Sequence, residues 1–254
     1  GALPIAMRRT RAGPRWRSSV EHDAVLRAAP EAQVLPVNLE WDVDFDAVEN
    51  ALAVGDRPVI AIQWVNPETG KVQPIERYAP MIEAGGGVLV TDASQLWGLN
   101  RFPKQAQMLV ISAHKLGGPI GIGALLVGDL GLLEPSGGQE FGYRGGTENL
   151  PAVLGFAAAV EGWAEKHTAM PDMDRHESVM DLFRTLQSYG AQQLMGYGEY
   201  VSEIRALAMP NLSAAAQLVR FDLKGFAVSG GSACASGTLK QSRELELAAF
   251  DWVR

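Results

Sequence analysis

The sequence predicts an α/β protein built on a mostly parallel sheet covered on both faces. Two observations carry this. Short apolar runs at Val59-Ile-Ala-Ile62, Val88-Leu-Val90, Met108-Leu-Val-Ile111 and Ala124-Leu-Leu-Val127 are continuous rather than alternating, as in strands buried on both sides. From about residue 34 to residue 127 they alternate with stretches of helical periodicity, the pattern of parallel strands joined by crossover helices. At 254 residues and 47% hydrophobic, the chain has material for one to two globular domains with a real core.

The elements follow in order. Near the start, Arg8, Arg9, Arg11, Arg15 and Arg17 read as an exposed basic helix face rather than a binding arm. Asp44 is a plausible N-cap for a helix that places Phe45, Val48 and Leu52 on one face. Ile75, Tyr78, Ala79 and Ile82 recur at i, i+3, i+4 and i+7 before Gly85-Gly86-Gly87 stops that helix. After residue 148 helices dominate: Asn149 can cap a helix with Pro151 in its first turn, running to about Lys166. A further amphipathic segment carries Val179, Leu182, Phe183 and Leu186. The composition turns polar around Pro171, so a boundary between a larger α/β domain and a smaller C-terminal one is expected near residue 166.

Charge and cysteine content exclude several classes of function. A net charge of −7 opposes a general grip on phosphate backbones, so no nucleic-acid partner is expected. No stretch approaches the roughly 18 apolar residues of a membrane span, and nothing resembles a signal peptide, so a cytoplasmic protein without membrane contact is expected. The single cysteine, Cys234, excludes internal disulfides and thiolate metal clusters, and no metal site is expected.

Ligands of open α/β sheets sit beyond the carboxyl ends of the strands, and three segments are chemically loaded. Asp92 directly follows one apolar run, in Thr91-Asp92-Ala-Ser-Gln95, where it either caps a turn or faces a cationic ligand group. Ser112-Ala-His114-Lys115 follows the next run and leads into Gly117, Gly118, Gly121 and Gly123, a turn that lets backbone approach a ligand. A lysine delivered to a pocket there can serve as an amine nucleophile toward a carbonyl; one on the surface beside a glycine turn is only a solvated charge. One crossover connection separates Asp92 from Lys115, so the two can meet over one pocket. Cys234 lies in Ser229-Gly-Gly-Ser-Ala-Cys234-Ala-Ser-Gly237, where small neighbours favour an accessible thiol over core filler.

Together these residues resemble the cysteine desulfurases of the NifS and IscS type, class-V aminotransferases that use pyridoxal 5'-phosphate. Six segments carry the resemblance, in the family's order: Ser19-Val-Glu-His22-Asp-Ala-Val-Leu26; Asn66-Pro-Glu-Thr-Gly70 with Gln73-Pro-Ile75; Asp92-Ala-Ser-Gln95; Ser112-Ala-His-Lys115; Gly137-Gly-Gln-Glu140 through Arg144-Gly-Gly-Thr-Glu-Asn149; and Ser232-Ala-Cys-Ala-Ser-Gly237. The resemblance implies the type I fold of pyridoxal-phosphate enzymes, like aspartate aminotransferase, with a large cofactor-binding domain over 1–165 and a small C-terminal domain over 166–254 that carries the cysteine loop. It implies that Lys115 carries the cofactor, Asp92 pairs with the pyridinium nitrogen, and Gln95 bonds the ring hydroxyl. His22 would stack on the ring and shuttle protons, Ser112 and His114 would hold the phosphate, and Thr147 would reach the phosphate in a second subunit of a homodimer. The implied reaction turns L-cysteine into L-alanine and leaves a persulfide on Cys234 for a sulfur-acceptor protein, such as an iron–sulfur scaffold, or for tRNA thiolation.

Pro67 stands where the family has the asparagine that contacts the cofactor, which leaves Asn66 to make that contact. The chain opens at Gly1, after the family's N-terminal phosphate-holding segment, and no carboxylate-clamping arginine is recognisable near its end. An incomplete member of the family is therefore expected. The alternatives are another type I enzyme, an aminotransferase or a selenocysteine or cysteine-sulfinate lyase in which Cys234 is incidental, and a non-catalytic member that keeps the fold.

Overall fold

A computed structural model describes residues 2–95, 102–168, 173–194, 196–201, 203–209 and 212–230. In chain order the elements are α1 (Ala2–Arg8), β1 (Arg15–Ser18), α2 (Asp23–Ala28), β2 (Gln33–Leu35), α3 (Phe45–Ala53), β3 (Val59–Ala61), α4 (Ile75–Ala84), β4 (Val88–Asp92), β5 (Met108–Ser112), β6 (Gly123–Val127), α5 (Leu150–Thr168), α6 (Met173–Ser188), β7 (Gln192–Gln193), β8 (Leu207–Ala208) and α7 (Ala214–Asp222). Strands β1 to β6 form one sheet in the order β2-β1-β3-β4-β5-β6. Its first four pairings are parallel, and β5–β6 is antiparallel. Strands β7 and β8 pair separately as a small antiparallel ribbon.

The continuous apolar runs arise because alternate residues of the same strands enter two different cores. On one face Ile60, Leu89, Leu109 and Ile111 pack with Val48 and Ala51 of α3, Ile75, Tyr78 and Ile82 of α4, and Phe156 and Trp163 of α5. On the other face Val59, Ala61, Val88, Val90, Met108 and Val110 meet Leu3, Ala6 and Met7 of α1, Val25 and Ala28 of α2, and Leu132 and Leu133. Asp44 caps α3 by accepting the Ala47 N–H at 2.9 Å, and Gly85 ends α4, with Gly86 at φ +74° completing the reversal. Asn149 Oδ1 accepts the Ala152 N–H at the start of α5, the cap expected from sequence.

Three expectations need correction. The basic run near the start is not an exposed helix face. Arg15 and Arg17 lie on β1, inside the sheet between β2 and β3. The Arg15 guanidinium is bonded to the carbonyls of Met7, Thr10, Ala12 and Gly13, and Arg8 to those of Arg27 and Ala28. These arginines satisfy carbonyls at the C-terminal ends of α1 and α2 and in the segment between α1 and β1. Nor is Ala124-Leu-Leu-Val127 a buried strand: β6 is the sheet edge, with Leu126 about half exposed. Only residues 113–122 separate β6 from β5, too short for a crossover, so β6 returns antiparallel. On α6, Phe183 is buried while Leu182 is exposed, so the expected apolar face is narrower.

Candidate active site

The carboxyl ends of the parallel strands bring together most of the residues singled out from sequence. β1 ends at Ser18, and the turn 19–21 leads to His22, the N-cap of α2. Its Nδ1 accepts the Ala24 N–H at 3.1 Å, so the neutral ring carries its proton on Nε2. Burial, the largest influence, holds the imidazole below its usual value. The Asp92 and Asp23 carboxylates pull the other way, while Lys115 and Arg27 add to the lowering. His22 thus feels both Asp92 and Lys115, which sets the three in one electrostatic neighbourhood.

Asp92 is the last residue of β4 and half-buried. Its Oδ1 accepts the Ser94 N–H at 3.0 Å, and its backbone carbonyl accepts the Trp64 N–H at 2.9 Å, beyond the end of the β3–β4 ladder. The turn-capping reading of this residue is thus seen directly, and its carboxylate also acts electrostatically on His22. Gln95, three residues on, is half-buried.

Ser112 ends β5, and the chain then tightens into a 3-10 turn, Ala113–Leu116, that carries Lys115, half-buried. Gly117 closes the turn at φ +84°, a conformation open to glycine and costly for most side chains. Ser112 Oγ and His114 Nδ1 share a 2.7 Å hydrogen bond, with His114 exposed. Helix α5 buttresses this loop through two glycines. A Cβ on Gly118 would lie 3.0 Å from Ala159 Cβ, and one on Gly155 would lie 2.6 Å from Pro119 Cγ.

Asn66 and Thr147 are placed differently. Asn66 is buried beyond the end of β3; its Oδ1 accepts the Glu68 and Thr69 N–H groups at 2.9 and 2.8 Å, and its Nδ2 donates to Val20 O at 3.4 Å. The first two bonds hold its own loop, and the third ties that loop to the turn before α2. Thr147 is exposed on the segment before α5, and no described bond joins it to Asp92, His22 or Lys115. Cys234 lies outside the described residues.

Sequence reasoning missed the buried polar residues behind the site. Glu21, Gln63 and Lys71 are all buried. Glu21 Oε1 accepts Ser18 Oγ and the Gln63 N–H, both at 2.7 Å, tying the end of β1 to the end of β3. Lys71 Nζ lies 3.0 Å from Asp42 Oδ1 and directs a 2.7 Å hydrogen bond at Tyr197 O, with the Tyr200 ring centroid 5.4 Å away. The signal available for Glu21 was its place directly before His22. Lys71 had none, because a lysine after a glycine reads as solvated.

An amine, a carboxylate and a neutral imidazole at the carboxyl end of a parallel sheet suit a heteroaromatic ligand with a carbonyl and a basic ring nitrogen. The class-V aminotransferase model matches residues 18–249. A cysteine desulfurase of Bradyrhizobium diazoefficiens is 34% identical over 244 residues, covering 90% of this chain and 61% of its own length. Cysteine desulfurase IscS 1 of Archaeoglobus fulgidus is 31% identical over 269 residues, covering 96% and 67%. The chain thus spans about three-fifths of the length of the first curated relatives, 61%, 60% and 63%. Among solved structures, the NifS-like protein from Rickettsia africae superposes with a TM-score of 0.79 at 24% identity, covering 97% of this chain and 69% of that one, a likeness of fold. DndA from Streptomyces lividans superposes at 0.69 with 26% identity, covering 87% and 68%. The family model covers most of the chain, and the relatives and the fold agree with it: the chain belongs to the class-V aminotransferase family.

Proposed function

We propose that the chain carries the catalytic centre of a pyridoxal-phosphate-dependent cysteine desulfurase, which converts L-cysteine to L-alanine and keeps the sulfur as a persulfide on Cys234. The observation that carries this assignment is the grouping of Asp92, His22 and Lys115 at the carboxyl ends of the sheet. The relatives named cysteine desulfurase support the choice of reaction.

The residues fit the cofactor. Lys115 would hold its aldehyde carbon and Asp92 its ring nitrogen. His22, neutral and half-buried, would cover one ring face, and Gln95 would bond the ring hydroxyl. Ser112 and His114, already joined at 2.7 Å, would take the phosphate. Pyridoxal phosphate, when bound, supplies the electron sink for the substrate carbon that gives up its proton. Lys115 Nζ removes that proton, and Cys234 Sγ takes the substrate sulfur. Asn66, whose Oδ1 holds the 66–70 turn, would make the cofactor contact that Pro67 cannot. The exposure of Thr147 suits its expected reach to a phosphate in a second copy, which makes the working protein a homodimer. The persulfide would pass in the cytoplasm to an acceptor such as an iron–sulfur scaffold or the tRNA-thiolation machinery. A division between the two domains near residue 166 belongs to the same assignment.

Absorbance titration of the purified chain with pyridoxal phosphate should show saturable binding that Lys115→Ala abolishes. With L-cysteine, alanine release should be lost in Cys234→Ser. Alanine formed at the unaltered rate by Cys234→Ser would instead favour a type I lyase or aminotransferase in which Cys234 has no part, since the described site is compatible with both.

A further inference from the structure

Glu21 is a buried carboxyl beside this site that takes no part in the reaction above. It is 2% exposed. Its Oε1 receives two bonds of 2.7 Å, from Ser18 Oγ on β1 and from the Gln63 N–H beyond β3. Its Oε2 is equally buried and has no hydrogen-bond partner. The turn is fastened a second time through Val20 O, which accepts from Gln63 Nε2 and Asn66 Nδ2. His22 follows directly on this doubly held turn.

The surroundings disfavour a charge on Glu21. A carboxylate there would be out of water with one oxygen unbonded, a costly state. The charged groups that face it are Asp92 on β4, which repels it, and Arg17 on β1, whose attraction is the weakest of the influences on it. Burial outweighs the Ser18 and Gln63 bonds, and Glu21 is pushed up to about 8. Asp92 also acts on His22, so Glu21 and His22 share one charged neighbour.

We propose that Glu21 is a positioning residue that works uncharged: its carboxylic acid holds the turn that presents His22 and leaves Asp92 as the carboxylate of the site. Only the roles of His22 and Asp92 in this statement rest on the desulfurase assignment. The test compares the full chain with Glu21→Gln, a neutral side chain of the same shape that retains the accepting oxygen, and with Glu21→Ala. Stability is measured by denaturant titration across pH. The folded acid keeps a proton that the unfolded chain releases near 4.5, the ordinary value for a glutamate. From about pH 5 to about pH 8 the folding equilibrium constant of the unaltered chain should therefore fall about tenfold per pH unit relative to Glu21→Gln. Parallel pH profiles would overturn the proposal, as would a Glu21→Gln chain that does not fold. In absorbance titration Glu21→Gln should bind pyridoxal phosphate as the unaltered chain does and Glu21→Ala more weakly; equal losses in both variants would also overturn it. If the unaltered chain binds no pyridoxal phosphate, the desulfurase assignment fails while the pH profiles still decide the state of Glu21.

Discussion

His22 reaches the site by doing two jobs with one ring. As the N-cap of α2 it accepts the Ala24 N–H through Nδ1, which settles the tautomer of the neutral form and limits ring rotation. Burial lowers its affinity for a proton below the ordinary value of 6.5. The unfolded chain therefore binds this proton at a higher pH than the folded one, and stability falls as the pH drops through and below about 6.5. Above that range both states are neutral and the residue contributes no pH dependence. His22→Asn keeps a good capping side chain and removes the titration. Urea denaturation at about pH 7.5 and pH 5.5 should show the unaltered chain losing more stability on acidification than His22→Asn. An equal loss in both would mean that the folded imidazole titrates like a free one. Glu21 works in the opposite sense, losing stability as pH rises, so the two neighbours are separable by direction as well as by variant.

Helix α5 shows how backbone shape, rather than side-chain chemistry, sets the lysine loop. Gly155 faces the Pro119 ring at a separation that a Cβ would close to 2.6 Å, whereas a Cβ on Gly162, seven residues along the same helix, meets nothing within 4 Å. Replacing a helix-interior glycine by alanine ordinarily gains about 1 kcal/mol. Gly162→Ala should show that gain in thermal or urea unfolding. Gly155→Ala should instead lose about 1–3 kcal/mol through overpacking, and on the proposed assignment the displacement of Pro119 should also weaken pyridoxal-phosphate binding. Equal stabilisation by both would mean that the loop gives way freely. The sequence allowed α5, its Asn149 cap and strands β3 to β5 to be read, because capping and continuous burial leave local patterns. It did not disclose β1: Arg15-Trp-Arg-Ser18 has no apolar run, and Arg15 reads as exposed until the carbonyls of Met7, Thr10, Ala12 and Gly13 that it bonds are known. The site divides along the same line. Asp92, Ser112, His114 and Lys115 stand out because each lies at or within three residues of the carboxyl end of an apolar strand. Glu21, Gln63 and Lys71 do not, since a charged or amide side chain reads as exposed until its distant partners are known.

Lys71 joins parts of the chain that lie far apart in sequence. It is 1% exposed, yet its ammonium meets Asp42 before α3 and the carbonyl of Tyr197 near the ribbon β7–β8. Gly198 leaves room for it: a Cβ there would lie 2.5 Å from Nζ, at a φ of +104° that disfavours other residues. The neighbouring bridge Lys71–Tyr200 and the Val72 N–H bond to Glu199 O carry backbone pairing across the same junction. Removing one member of a buried pair strands the other charge, whereas replacing both by apolar groups of similar size is often neutral. Lys71→Met should therefore lower the unfolding free energy by about 3 kcal/mol, moderated because Asp42 keeps some exposure to water. Lys71→Met with Asp42→Leu should recover much of that loss, and the non-additivity of the double-mutant cycle gives the coupling directly. Limited proteolysis supplies the structural readout: cleavage around 196–201 should rise in the single variant and return toward the unaltered level in the double one. Additive losses with unchanged cleavage would mean that the backbone pairing alone, without the buried ammonium, holds this segment to the sheet domain.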